Sequence, residues 1–239
     1  MSNFELALFP DARSLAEAAA GAWLKELGKG VHGDAPYCVA LSGGRIARDF
    51  FAATARLAQN QPGLFHRAHF FWGDERCVPP TDKESNYALA RDILLTPLAI
   101  PGNQIHRVRG EDPPESAATQ AADDLLRVAL DRMQDQPVLD LVFLGMGEDG
   151  HVASLFPGEP EAIRASRAVF RAVTAVKPPP RRITLGYAAI AAARQVWALA
   201  SGAGKEKALR DSLEADGQTP LARVLRSRER TRIFSDIVL

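Results

Sequence analysis

The sequence predicts an α/β protein, with a mostly parallel sheet covered by helices on both faces. Three observations carry that expectation. Short apolar runs rich in β-formers recur at 37–41, 68–72, 139–144 and 196–200. Segments with helical spacing of apolar residues separate them. Three of the runs stop at glycine-containing turns, Ser42-Gly-Gly44, Gly145-Met-Gly147 and Ser201-Gly-Ala-Gly-Lys205, where missing side chains let the backbone turn sharply.

Asp11 is a favourable N-cap, and Leu15, Ala18, Ala19, Ala22 and Trp23 then recur at helical spacing up to Gly28. Residues 30–36 read as a loop before the first buried strand, 37–41. Helical spacing returns from Arg45 to Leu57, with Ile46, Phe50 and Phe51 on the inner side. The strand 68–72 is followed by Gly73-Asp-Glu-Arg76 and a proline-rich loop. Asn86 to Leu95 is helical, its apolar face built from Tyr87, Leu89, Ala90, Ile93 and Leu94. Residues 101–113 are irregular, with a brief strand expected at 105–108. Pro114 opens a long amphipathic helix to Gln134, proline being tolerated in a first turn. The strand 139–144 follows, then an alternating stretch at 168–176, the breaker Pro178-Pro-Pro180, and Arg181 to Leu185. A short helix at 188–193 precedes the strand 196–200. A helix at 206–214, further helical turns at 221–225 and a closing strand at 233–238 finish the chain. No repeat, low-complexity stretch or linker divides it, so one domain over 1–239 is expected.

Composition bounds the function. The 239 residues include 29 Lys plus Arg and 29 Asp plus Glu, a net charge of zero. Bulk charge therefore gives no support for a nucleic-acid partner, and any anion site must be local. Two cysteines, Cys38 and Cys77, lie in or just after apolar runs and read as buried free thiols, too few for a disulfide framework. No zinc-like Cys/His spacing occurs. The N-terminus shows no secretory signal, and no uninterrupted apolar run approaches the roughly 20 residues that span a bilayer. A cytoplasmic location is expected.

The glycine turns are where chemistry is expected. Backbone N–H groups exposed at a strand-to-helix turn, with the positive end of the helix dipole behind them, suit a phosphate. Lys205 stands at the start of its helix, where dipole pairing disfavours a cation, so it either faces an anion or is solvated beside Glu206. Gly202-Ala-Gly-Lys205 is not a nucleotide P-loop, because position 199 is Leu and position 206 is Glu. Arg76 either makes paired hydrogen bonds to a phosphate or carboxylate or pairs locally with Asp74 or Glu75. Arg181 and Arg182 pose the same choice. Among the histidines (His32, His66, His69, His106 and His151), only His151 sits in a glycine-flanked loop beside acids, Glu148 and Asp149. An imidazole there can take a proton from water and return it to a leaving oxygen, with Asp149 two residues away to orient it. His69 reads as a core or surface histidine in a strand. No Gly-x-Ser-x-Gly elbow or His-Glu-x-x-His motif occurs, which disfavours a serine hydrolase or zinc peptidase.

Taken together, several segments resemble the 6-phosphogluconolactonase members of the glucosamine-6-phosphate isomerase/6-phosphogluconolactonase family. They are Ser42-Gly-Gly44, Gly73-Asp-Glu-Arg76 with Ser85-Asn86, Gly145-Met-Gly-Glu-Asp-Gly-His151 with Ser154-Leu-Phe-Pro157, Arg182-Ile-Thr-Leu185 and Lys205. The resemblance implies a Rossmann-like three-layer sandwich shared with the amino-sugar phosphate deaminases. It implies hydrolysis of 6-phospho-D-glucono-1,5-lactone to 6-phosphogluconate, in the oxidative pentose phosphate pathway, with no cofactor or metal. It makes His151 the general base/acid, with Asp74 nearby; we expect the imidazole to be oriented by Asp149 or Asp74. Ser42, Gly43, Gly44, Arg76, Arg182 and Lys205 become the sugar-phosphate site, with Asn86 nearby. In one departure, the family's glycine turn continues as Thr-Pro, whereas here Gly44 is followed by Arg45-Ile46; Arg45 either replaces the lost phosphate contact or faces solvent. The expected partner is the small sugar-phosphate lactone, with no nucleic acid or membrane, and the chain is expected to be a monomer or weak homo-oligomer.

Two other functions compete with this one. An amino-sugar phosphate isomerase/deaminase shares Asp149-Gly-His151 but would carry Asn-Glu-Pro-Gly downstream, where this chain has Ser154-Leu-Phe-Pro-Gly158. A non-catalytic sugar-phosphate sensor would keep the cations and lose the base, which His151 argues against.

Overall fold

The β-forming runs, buried on both sides, assemble into a six-stranded parallel sheet in a computed structural model that describes residues 3–29, 35–61 and 63–239. Of the loop expected at 30–36, residues 30–34, including His32, lie outside the described residues. In chain order the elements are β1 (Phe4–Leu8), α1 (Ala12–Gly28), β2 (Tyr37–Leu41), α2 (Arg45–Ala58), β3 (Ala68–Trp72), β4 (Asp74–Arg76) and α3 (Asn86–Ala90). Then come α4 (Pro114–Val128), β5 (Arg132–Met133), β6 (Gln136–Pro137), β7 (Leu141–Gly145), α5 (Glu161–Arg164), β8 (Phe170–Thr174) and β9 (Arg181–Leu185). The chain closes with α6 (Tyr187–Ala192), β10 (Gln195–Ala200), α7 (Glu206–Leu213), α8 (Pro220–Arg226) and β11 (Thr231–Ser235).

The sheet order is β1-β11-β10-β7-β2-β3, every pairing parallel. Right-handed crossovers then decide the layers. The steps β1 to β2 and β2 to β3 move one way across the sheet and put α1 and α2 on one face, where they pack on each other. From β3 onward the steps to β7, β10 and β11 run the other way, so α6, α7 and α8 belong to the opposite face, while α4 packs on β8 and β9. The direction changes between neighbours β2 and β7. A crevice opens beyond the carboxyl ends of strands at such a switch point. Beneath it Trp23, fully buried, packs its ring against those of Phe50, Phe65, Phe70 and Phe143 at centroid separations of 5.7, 5.6, 6.4 and 5.1 Å. Burying each such ring stabilises the fold by roughly 1.5–3 kcal/mol.

A second sheet, β4-β9-β8, is antiparallel. Gly73 joins the two: its N–H donates to Leu41 O at 2.8 Å, and its carbonyl accepts from Leu185 N at 2.8 Å. The sequence reading assigns no strand to the polar segment Asp-Glu-Arg that forms β4. It is held by Glu75, whose buried carboxylate accepts from the backbone of Arg76, Asn86 and Tyr87 and from Ser85 Oγ. Burial pushes that carboxyl up to about 7, against the pull of those donors.

Other expectations shift. The helix expected to Gln134 ends at Val128. The Arg132 guanidinium donates to the carbonyls of Leu126, Ala129 and Asp131. Gln134 and Asp135, at φ 48° and 67°, form a two-residue hairpin turn between β5 and β6. The segment 86–95 begins as α3 but continues from Arg91 to Leu95 as a π-helical turn. The brief strand expected at 105–108 reduces to one bridge, Ile105 with Phe70. Strand β1 was not anticipated; it is an edge strand paired only to β11.

Candidate active site

At the switch point the turns after β2 and β7 meet, joined by the Ser42 hydroxyl accepting from Gly145 N at 3.0 Å. Register carries β10 to the same edge, Leu199 lying opposite Gly145. Together with the antiparallel sheet these turns enclose a cleft of about 350 Å³. His151, Asp74, Ser42, Gly43, Gly44, Arg45, Arg76, Asn86, Arg182 and Lys205 all line it. Asp149 stands outside that lining and reaches the cleft through His151.

His151 lies on the loop that leaves β7. Its Nδ1 is 2.5 Å from Asp149 Oδ1, and its backbone N–H donates to the same oxygen at 3.2 Å. A carboxylate can only accept, so the shared proton belongs on Nδ1 and the lone pair on Nε2. Burial works to raise the Asp149 carboxyl, but the charge and hydrogen bonds of His151 outweigh it and hold it below the usual carboxylate range. The ring rests directly on Gly147: a Cβ at that position would sit 2.1 Å from His151 Nδ1 and Cε1. Glycine is required there by close approach. On its other side the ring packs on Phe156, centroids 5.1 Å apart.

Asp74 is buried in a different network. Its Oδ2 accepts from Ser154 Oγ at 2.7 Å, and Asn86 Nδ2 donates to its Oδ1 at 3.2 Å and its backbone carbonyl at 2.9 Å. Asn86 in turn presses on the first glycine turn, since a Cβ on Gly43 would fall 1.9 Å from Asn86 Oδ1. The sequence reading left Asp149 and Asp74 as alternative partners of the imidazole; Asp149 is the one bonded to it.

The cations divide between two banks. From the antiparallel sheet, Arg76 Nη1 donates to Glu84 O at 2.8 Å and lies 3.5 Å from Glu84 Oε2. Its guanidinium thus pairs with Glu84, not with Asp74 or Glu75 as the local alternative had it. Arg182 is buried, donates to Pro179 O at 3.0 Å and Lys177 O at 3.2 Å, and lies over the Phe156 ring at 5.7 Å. Desolvation first, and the neighbouring Arg76 second, lower its pKa. Arg181, its neighbour in sequence, is exposed. From the parallel sheet come Arg45, in the first turn of α2, and Lys205, at the start of α7. Burial and the charge of Arg45 pull the Lys205 pKa down, while Glu148 and Asp236 push it back up. Glu148, which the sequence placed beside His151, thus acts on Lys205.

Several residues of this framework were missed by sequence reasoning. Ser154 and Phe156 belong to a segment read only as a family signature, yet one holds Asp74 and the other separates His151 from Arg182. Thr184 Oγ1 accepts from Ser154 N at 3.2 Å. Asp236 follows the closing strand and carries no sequence signal at all. Among the described residues, no cluster of three or more His, Cys, Asp or Glu is arranged to hold a metal ion, and no helix is long and apolar enough to cross a membrane.

Comparison with known proteins identifies the family. Residues 10–233 match the family model described as glucosamine-6-phosphate isomerases/6-phosphogluconolactonase. A 6-phosphogluconolactonase of Mycobacterium tuberculosis is 36% identical over 206 residues, 84% of this chain and 83% of the relative. One from Streptomyces coelicolor is 34% identical over 235 residues, 95% of this chain and 90% of the relative. The solved 6-phosphogluconolactonase of Trypanosoma brucei superposes with a TM-score of 0.84 at 27% identity, covering 98% of this chain and 97% of that one. On sequence and fold alike, the chain belongs to the glucosamine-6-phosphate isomerase/6-phosphogluconolactonase family.

Proposed function

We propose that the chain is a 6-phosphogluconolactonase, hydrolysing 6-phospho-D-glucono-1,5-lactone to 6-phospho-D-gluconate. The observation that carries the catalytic reading is the Asp149–His151 pair, hydrogen-bonded at 2.5 Å on the wall of a cleft that also holds four cationic side chains. The sugar phosphate docks on the turn Ser42-Gly43-Gly44 and the first-turn N–H groups of α2, neutralised by Arg45, Arg76, Arg182 and Lys205. Docking brings the lactone carbonyl to His151. Nε2 accepts a proton from water as the water oxygen bonds to C1, giving a tetrahedral intermediate. Asp149 stabilises the imidazolium so formed. As the intermediate collapses, the bond from C1 to the ring oxygen breaks and the Nε2 proton passes to that oxygen. Asp74, bonded to Ser154 and Asn86, shapes the floor and takes no proton in this scheme.

The deaminase reading is less favoured. It needs an acid in the segment after His151, and that segment supplies Ser154, whose hydroxyl is already committed to Asp74.

The test is turnover of freshly generated 6-phosphogluconolactone with spontaneous hydrolysis subtracted. His151→Ala is expected to lower kcat by about 10²–10⁴-fold, the usual scale of acid–base help, with an unchanged melting temperature. Near-normal turnover in that variant would sink the proposal.

A further inference from the structure

We infer that Asp236 is a positioning residue for the phosphate subsite, holding the Ser201–Lys205 turn so that Lys205 faces the sugar phosphate. The inference rests on the reading of Lys205 as a phosphate cation. Strands β10 and β11 run in register, Ala200 opposite Ser235, so the next residues, Ser201 and Asp236, leave the sheet side by side. There the carboxylate grips the turn twice: Oδ2 accepts from Ser201 Oγ at 2.8 Å and Oδ1 from Gly202 N at 3.1 Å. The turn needs an external tie. Gly202 and Gly204 have φ of +100° and +83°, and Lys205 caps α7 without any side-chain cap bond. Glycine-rich backbone of this kind is conformationally loose.

A carboxylate this close to an anion site weakens ligand binding by repulsion unless it does something else. Here it can do two things. It fixes the backbone ahead of Lys205, and it adds negative charge beside an ammonium that faces Arg45 and is partly desolvated. Glu148 is the other acid acting on Lys205. Asp236 therefore helps keep Lys205 charged until the dianion arrives.

The experiment compares wild type, Asp236→Asn, Lys205→Ala and the double variant. It measures KM and kcat for the phosphorylated lactone, and the Kd of 6-phosphogluconate across neutral to alkaline pH. Asp236→Asn is expected to raise KM and Kd about tenfold, the effect of losing one charge-assisted hydrogen bond, with kcat nearly constant. Its alkaline loss of affinity should begin at lower pH than in wild type, because Lys205 loses its proton more easily. In the Lys205→Ala background, Asp236→Asn should add almost nothing. Wild-type affinity in Asp236→Asn, or its full effect persisting without Lys205, overturns the positioning role. Unchanged KM and Kd in Lys205→Ala instead overturns the phosphate reading beneath it. Should Asp236→Asn fail to fold, Ser201→Ala removes only one of the two ties; it should raise KM a few-fold at constant kcat, and no change in KM counts against the inference.

Discussion

The two banks of the cleft carry the same sign of charge but hold it differently. On the antiparallel sheet, Arg182 is buried and tied to the carbonyls of Pro179 and Lys177, and Arg76 is tied to the carbonyl of Glu84. On the parallel sheet, the side chains of Arg45 and Lys205 make no hydrogen bond or ion pair among the described residues. The guanidinium groups of the first bank are oriented when the chain folds. The head groups of the second lose their freedom only when an anion binds. On the proposed phosphate reading, one bank is thus a fixed template, and the other closes the electrostatic contact around whatever the template admits.

In the proposed mechanism His151, seated on Gly147, is the point both banks serve. The sharpest way to break the arrangement is therefore Gly147→Ala, which drives a methyl into the ring. A displacement of about 1 Å costs roughly 10²-fold in rate, so kcat should fall by that order while KM, set by the banks, stays close to wild type. Steady-state kinetics decide it, and a wild-type kcat would mean that the ring position is not limiting.

The banks themselves are separated by pairing Arg182→Ala with Lys205→Ala. Both should raise KM. Only Arg182→Ala should also lower the melting temperature, because it strands two carbonyls and uncovers Phe156, at a cost of about 1–3 kcal/mol. Equal thermal stability in the two variants would erase the distinction between template and closing bank.

The smallest expected effect contrasts His151 with the pair His69 and His106, whose Nδ1 and Nε2 are 2.9 Å apart. Burial lowers the pKa of both, with the charge of His69 helping to bring His106 to about 4; Asp124 opposes that shift on His106 and Arg127 adds to it. An unfolded histidine titrates near 6.5, so the unfolded chain binds more protons below that pH. The pair's contribution to stability is full above about 6.5 and is lost as pH falls towards 4. Denaturant midpoints at pH 7.5 and pH 5 should drop less with acid in His106→Phe than in wild type. An identical drop would assign the acid sensitivity elsewhere.

The sequence shows its reach and its limits at particular residues. Runs such as 139–144 were legible because burial on both faces leaves little but apolar β-formers. Gly43 and Gly147 were legible as turns, but not as the seats of Asn86 and His151. The polar strand Asp74–Arg76 was not legible, since long-range pairing overrode its local preference, and the hairpin turn at Gln134-Asp135 was not, since it lacks the glycine that usually marks positive φ. Asp149 could be named as a partner of His151 because it lies two residues away. Ser154 could not be assigned to Asp74, because the contact spans 80 residues.

By itself, then, the sequence determined the alternation of strand and helix, the glycine turns and the histidine beside its acid. These follow from solvent exclusion, backbone freedom and short separation along the chain. Only the tertiary structure decided that Asp149 rather than Asp74 holds the imidazole, that Arg76 turns to Glu84, and that Asp236 reaches the turn before Lys205. The Asp236 contact, and the place of Asp74 in the network of Ser154, depend on which strands become neighbours and in which register, which leaves no periodic trace in the residues joined; Arg76 meets Glu84 only eight residues on, through the path of the loop after β4.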